Sequence, residues 1–72
     1  MNEMEKIEAI AEILEVEIEE VEHEKELESY ETWDSVAILA VIAVMNEKFD
    51  KYPSAREVLE NKTVQDLMNY LC

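Results

Sequence analysis

Asp34-Ser35-Val36-Ala37-Ile38-Leu39-Ala40-Val41-Ile42-Ala43-Val44-Met45 is the stretch whose reading decides the fold. From Val36 to Met45 all ten residues are apolar. A membrane span needs about 20 such residues, so this run predicts a buried helix instead. Asp34 stands where its carboxylate can accept from the first free N–H groups of that helix. Ser35 then falls in the first turn, where unpaired N–H groups and the positive end of the helix dipole favour a negatively charged substituent on its hydroxyl. An Asp-Ser pair opens many helices whose serine carries nothing, so the pair alone leaves both readings open. On a helical projection Ile38, Leu39, Ile42, Met45 and Phe49 share one side, and Ala37, Ala40 and Val44 lie on the other with Glu47 below them.

On the N-terminal side, Met4, Ile7, Ile10, Ala11 and Leu14 recur at three- and four-residue steps with Glu between them. That spacing predicts a first amphipathic helix over roughly 3 to 15. Val16, Ile18 and Val21 then alternate with Glu, which permits a strand, but no second strand is available to pair with it. The expectation is a long connection pinned by Val21, Leu27, Tyr30 and Trp33, and structureless loops of this length tend to be functional. On the C-terminal side, Asp50 to Pro53 ends the second helix, because the residue before a proline is steered away from helical angles. Ser54-Ala55-Arg56-Glu57 reads as a capping box opening a short helix over about 54 to 60. Thr63-Val64-Gln65-Asp66 repeats that logic for a last helix running to about 71, with Val64, Leu67, Met68 and Leu71 inward. The fold class is all-α: three main helices plus one short helix, with a long loop between helices 1 and 2.

Composition narrows the function. Seventy-two residues bury only about 60% of the surface the unfolded chain exposes, so a large internal active site is not expected. Nineteen Asp and Glu against six Lys and Arg give a net charge of −13, which repels nucleic acid and anionic membrane and favours basic partner surfaces. The charge is uneven: residues 1 to 31 hold thirteen Glu against Lys6 and Lys25, whereas residues 32 to 72 hold six acids and four bases. Cys72 is the only cysteine, which rules out an internal disulfide and a cysteine-based zinc site and suits a reducing compartment. Met1-Asn2-Glu3-Met4-Glu5 has neither the basic region nor the apolar stretch of a signal peptide, so a cytoplasmic protein without a membrane span is expected.

This order of helix, long acidic loop and Asp-Ser-aliphatic at the head of the second helix resembles the acyl carrier proteins and their peptidyl and aminoacyl carrier relatives. The resemblance covers nearly the whole chain. It includes Leu14-Glu15-Val16 closing the first helix, Val21 in the loop, Asp34-Ser35-Val36, Phe49-Asp50 ending the second helix, and Thr63-Val64-Gln65-Asp66 opening the last. It implies a small four-helix bundle of the acyl-carrier type, with residues 1–72 as a single carrier domain. It further implies that Ser35 bears 4'-phosphopantetheine, transferred from coenzyme A by a phosphopantetheinyl transferase. The arm's thiol would then carry acyl or aminoacyl groups as thioesters, and the protein itself would not be an enzyme. A thiol with a pKa of about 8.5 is nucleophilic enough to be loaded and leaves readily enough to pass its cargo on. Asp34 would cap the helix and lie near the transferase's metal, its charge beside the phosphodiester being a cost that solvent must screen.

Two departures bear on partners. Ala37 and Ala40 occupy positions where fatty-acid carriers usually show acids, and Trp33 stands where a small residue often precedes Asp-Ser. The expected partner face is therefore Trp33, Val36, Ala37, Ala40 and Glu47, meeting ligase or synthase enzymes through basic or apolar docking patches, with the chain itself a monomer. Such a face favours packing over charge steering, so association should depend less on salt. The pattern points to a dedicated carrier serving its own ligase or synthase. The alternative is an acidic helical adaptor without a prosthetic group.

The remaining residues support simpler readings. The Glu runs are solvated faces without EF-hand spacing, so no metal site is expected. His23 stands alone in a polar loop, and a triad of Ser35, His23 and Asp34 fails because Asp34 adjoins the serine instead of orienting the histidine. Ser54 is a cap. Val36 to Met45 is core first, although Met45 and Met68 are adaptable enough to line a pocket for an acyl chain.

Overall fold

The computed structural model describes residues 1–72. Four helices follow one another, α1 Glu3–Leu14, α2 Ser35–Phe49, α3 Ala55–Leu59 and α4 Val64–Tyr70, and no strand forms. This is the small all-α bundle, with a long connection after its first helix, that the resemblance implies. No helix is long and apolar enough to cross a membrane.

Each helix start carries its own cap. Asn2 and Glu5 exchange hydrogen bonds ahead of α1, the Asn2 side chain accepting from the Glu5 N–H at 2.8 Å and the Glu5 carboxylate from the Asn2 N–H at 3.0 Å. Ser54 with Glu57 and Thr63 with Asp66 form the same reciprocal box ahead of α3 and α4, as the sequence predicts. Asp66 also accepts from the N–H groups of Lys62 and Thr63, and these bonds hold its carboxyl below its ordinary value of 3.8.

The helix ends are less orthodox, because the chain has no glycine. Glu15 and Asp50 take left-handed conformations, with φ of 56° and 55°, to close α1 and α2. The N–H groups of Glu15 and Val16 then fold back on the Ala11 carbonyl. A side chain in that region costs of order 1 kcal/mol that glycine would avoid.

The core is apolar throughout. Ile10, Leu14, Leu27, Val41, Val58 and Leu67 are fully enclosed, and no polar or charged residue is buried. The connection between α1 and α2 contributes two short 3₁₀ turns, Ile18–Glu20 and Leu27–Ser29. Leu27 and Tyr30 are buried, while Val21 and Trp33 pack against the core from its edge, so all four expected anchors are in place. Tyr30 does more than fill space. Its hydroxyl donates to the Glu20 carbonyl and accepts from the Glu22 N–H, and the Lys25 ammonium sits 4.4 Å from its ring centre.

The connection is also stitched to α4. The Leu27 N–H donates to the Lys62 carbonyl at 2.8 Å, the Val64 N–H to Lys25 at 3.0 Å and the Gln65 N–H to His23 at 2.9 Å. Loop carbonyls thus satisfy donors that the start of α4 would otherwise leave free.

The phase of α2 differs from the helical projection. Ala37 is only 2% exposed and packs in the core with Ile38, Val41 and Met45, whereas Leu39 is 64% exposed and Val36 67%. The physical reason is that ten consecutive apolar residues carry no periodicity of their own. The neighbours α1 and α3, together with the Asp34 cap, set the rotation instead.

Candidate functional site

Ser35 is the first residue of α2 and is exposed. Asp34 fixes that position, since its Oδ1 accepts from the Val36 N–H at 3.0 Å and the Ala37 N–H at 3.2 Å. The carboxylate therefore consumes two of the helix-start donors and leaves the serine hydroxyl free of the capping role. An anion joined to Ser35 would meet the positive end of a 15-residue helix, opposed in part by the adjoining Asp34 charge.

An apolar groove of about 410 Å³ starts at Ser35 and runs between α2 and α3. Trp33, Ile38, Leu39, Ala55 and Leu59 supply its apolar walls. Leu59 is 50% exposed, so two leucines face solvent across this groove, one from each helix. On the other side of Asp34 a smaller cleft of about 240 Å³ lies against α1, with Glu15, Thr32 and Val36 among its walls. Ser35 borders the first cleft and not the second.

Of the residues expected at a partner face, Trp33, Val36 and Glu47 reach the surface at least in part, and Ala40 is half-buried. Ala37 does not belong with them, because its methyl group is packed into the core. Leu39 and Leu59 are the residues that the sequence reading missed. Leu39 follows Ser35 by four residues and so lies on the same helical face, a signal that was present in the spacing. Leu59 sits in a helix of five residues, too short to show a face of its own.

His23 takes no part in the site. Its Nε2 lies 3.6 Å from the Glu3 carboxylate, at the start of α1. No group of three His, Cys, Asp or Glu residues is arranged to hold a metal ion.

The bundle thus offers a free serine hydroxyl at a helix entrance, beside an open apolar groove. The chain matches the family described as phosphopantetheine attachment site over residues 7–71, and it belongs to that family. Members carry covalent 4'-phosphopantetheine, so this is a phosphopantetheine-bearing carrier protein. Neither a search of curated proteins nor one of solved structures gave a match.

The residues fit the group. The hydroxyl is accessible, no side chain covers it, and the helix start behind it suits a phosphodiester. When bound, the group supplies a thiol on a flexible arm. Ser35 would anchor that arm, and Asp34 caps the helix beneath it.

Proposed function

We propose that Ser35 is the attachment point of the phosphopantetheine arm, and that the chain presents acyl or aminoacyl thioesters to partner enzymes while catalysing nothing itself. The observation that carries this reading is the exposed Ser35 hydroxyl at the start of α2, released from capping by Asp34. Neither other serine has that setting. Ser29 donates its hydroxyl to the Glu26 carbonyl, and Ser54 is occupied as the cap of α3.

Partners are a phosphopantetheinyl transferase and ligase or synthase enzymes. They dock on Val36, Ala40 and Glu47, with Trp33 at the near end and the exposed Leu39 added to the face. The centre of this face is apolar and the chain as a whole is strongly acidic, so a partner with an apolar patch rimmed by Lys or Arg suits it.

The test is modification in vitro. The purified chain is incubated with coenzyme A and a broad-specificity phosphopantetheinyl transferase, and its intact mass is measured. Wild type gains one arm, and Ser35→Ala gains none while keeping its helical circular dichroism. A wild-type chain that stays unmodified returns the reading to an adaptor, and an arm retained by Ser35→Ala moves the site elsewhere.

A further inference from the structure

Two carboxylates without a cation share the smaller cleft, the one of about 240 Å³ between the end of α1 and the start of α2. Resting on the assignment of Ser35, we infer that this cleft takes one Lys or Arg side chain of the phosphopantetheinyl transferase, and that Glu15 orients the enzyme on the chain.

Charge comes first. Glu15 and Asp34 both line the cleft, and none of the chain's six Lys and Arg residues does. Asp34 spends only its Oδ1 on the helix cap, so Oδ2 is left for another donor. The molecule's one ion pair, His23 with Glu3, lies at the opposite end of α1, so neither carboxylate is neutralised from within. Thr32, whose hydroxyl oxygen is buried without a hydrogen-bond partner, lines the same cleft and adds an acceptor that the chain itself does not use. A cationic side chain bringing N–H groups to these oxygens forms charge-assisted bonds.

Shape selects the kind of cation. Ile13, Val36 and Ala37 give the cleft apolar walls. Such walls suit the methylene stem of Lys or Arg, which packs on apolar surface while its head reaches the carboxylates. The cleft is smaller than the roughly 300–1,000 Å³ of small-molecule sites, so a single side chain fills it. A bare metal ion would leave the walls uncovered.

Position selects the partner. Asp34 and Val36 flank Ser35 in the chain, which puts the cleft beside the attachment point. The transferase must bring its reacting groups to the serine oxygen itself, whereas later enzymes meet a thiol at the far end of the arm. On the α3 side of Ser35 the groove is apolar, and α2 carries no charge before Glu47. An enzyme with a basic residue to one side of its active site therefore docks in one orientation only.

The test measures transfer from coenzyme A to the full chain by a broad-specificity transferase, over a range of chain concentrations. Glu15→Gln should lower kcat/KM about three-fold, the size of one partly exposed ion pair, through KM with kcat unchanged. The fall of kcat/KM with added NaCl should also become shallower in that variant. Glu12→Gln removes the same charge from an exposed site on α1 outside the cleft, and should behave as wild type. A second measurement needs no variant. Propylguanidinium, the head and stem of arginine, is titrated into the ¹⁵N-labelled chain and should shift the amides of Glu15, Val36 and Ala37 while leaving those of Leu39 and Leu59 in place. Wild-type kinetics in Glu15→Gln, or an equal loss in Glu12→Gln, overturns the inference and leaves the carrier reading standing, because Ser35 is still loaded. Amide shifts spread over the whole acidic surface overturn it too. Magnesium chloride that shifts the cleft amides as far as propylguanidinium does makes the cleft a site for any cation, and the inference fails. Absence of any mass gain by the wild-type chain overturns both readings.

Discussion

The connection between α1 and α2 and the helix that follows it use apolar residues in opposite ways. In the connection they are scarce, and Val21, Leu27, Tyr30 and Trp33 all pack on or in the core. In α2 they are in surplus, and the helix buries Ala37, Ile38, Val41 and Met45 while leaving Val36 and Leu39 in solvent. Scarcity makes most of these residues structural, with Ile18 the exception at 42% exposed. Surplus leaves some of them exposed, and in α2 Val36 and Leu39 stand in solvent within about one turn of Ser35.

The sharpest test compares two leucines. Leu27→Ala should cost about 3 kcal/mol, by the usual range for a fully enclosed leucine. That is most of the stability a core of this size supplies, so much of the variant should be unfolded at room temperature by circular dichroism. Leu39→Ala should change stability by no more than about 0.5 kcal/mol. Equal effects at the two sites would erase the distinction between the connection and the helix.

Tyr30→Phe asks whether polar contacts hold the connection as well as burial does. It removes a hydroxyl that serves both Glu20 and Glu22, and a loss of about 1–2 kcal/mol in urea unfolding is expected. No loss would mean that the ring alone pins the segment.

Salt probes the charge contrast between the two halves. Thirteen Glu in residues 1 to 31 repel one another with little cation nearby, and ions screen that repulsion. Raising NaCl from low to moderate concentration should add about 0.5–1 kcal/mol, or roughly 3–6 °C in melting temperature. A flat or falling melting temperature would show that the acidic half is already relieved by its geometry.

The smallest effect concerns Asp66, at the point where α4 meets the connection. Its folded pKa is depressed by the Lys62 and Thr63 N–H groups, so its contribution is complete above the ordinary carboxylate value and is lost as pH falls through the folded one. The stability gap between wild type and Asp66→Asn should therefore be widest near neutrality and close below about pH 4. A gap independent of pH would remove the charge from the cap's role.

How much of this was legible in the sequence follows from the same contrast. Three of the helix starts were readable at Asp34, Ser54 and Thr63, because caps are local chemistry, and the anchors of the connection were readable because from Val21 to Trp33 nothing else is apolar. The entrance position of Ser35 followed from the Asp34 cap. The rotation of α2 was not readable, since an unbroken apolar run fits any phase, and so Ala37 and Leu39 were exchanged. Leu59 escaped because a five-residue helix shows no period. The stitching of Lys25 and Leu27 to Lys62 and Val64 runs through backbone atoms, which side-chain identity does not encode.

That stitching also groups the molecule's slow fluctuations. His23, Lys25 and Leu27 cannot leave α4 without freeing the amides of Val64 and Gln65, so segments some forty positions apart open as one cooperative unit. In native-state deuterium exchange their amides should share a single opening free energy, while the threshold of α2, which shares no backbone hydrogen bond with α4, breathes on its own schedule.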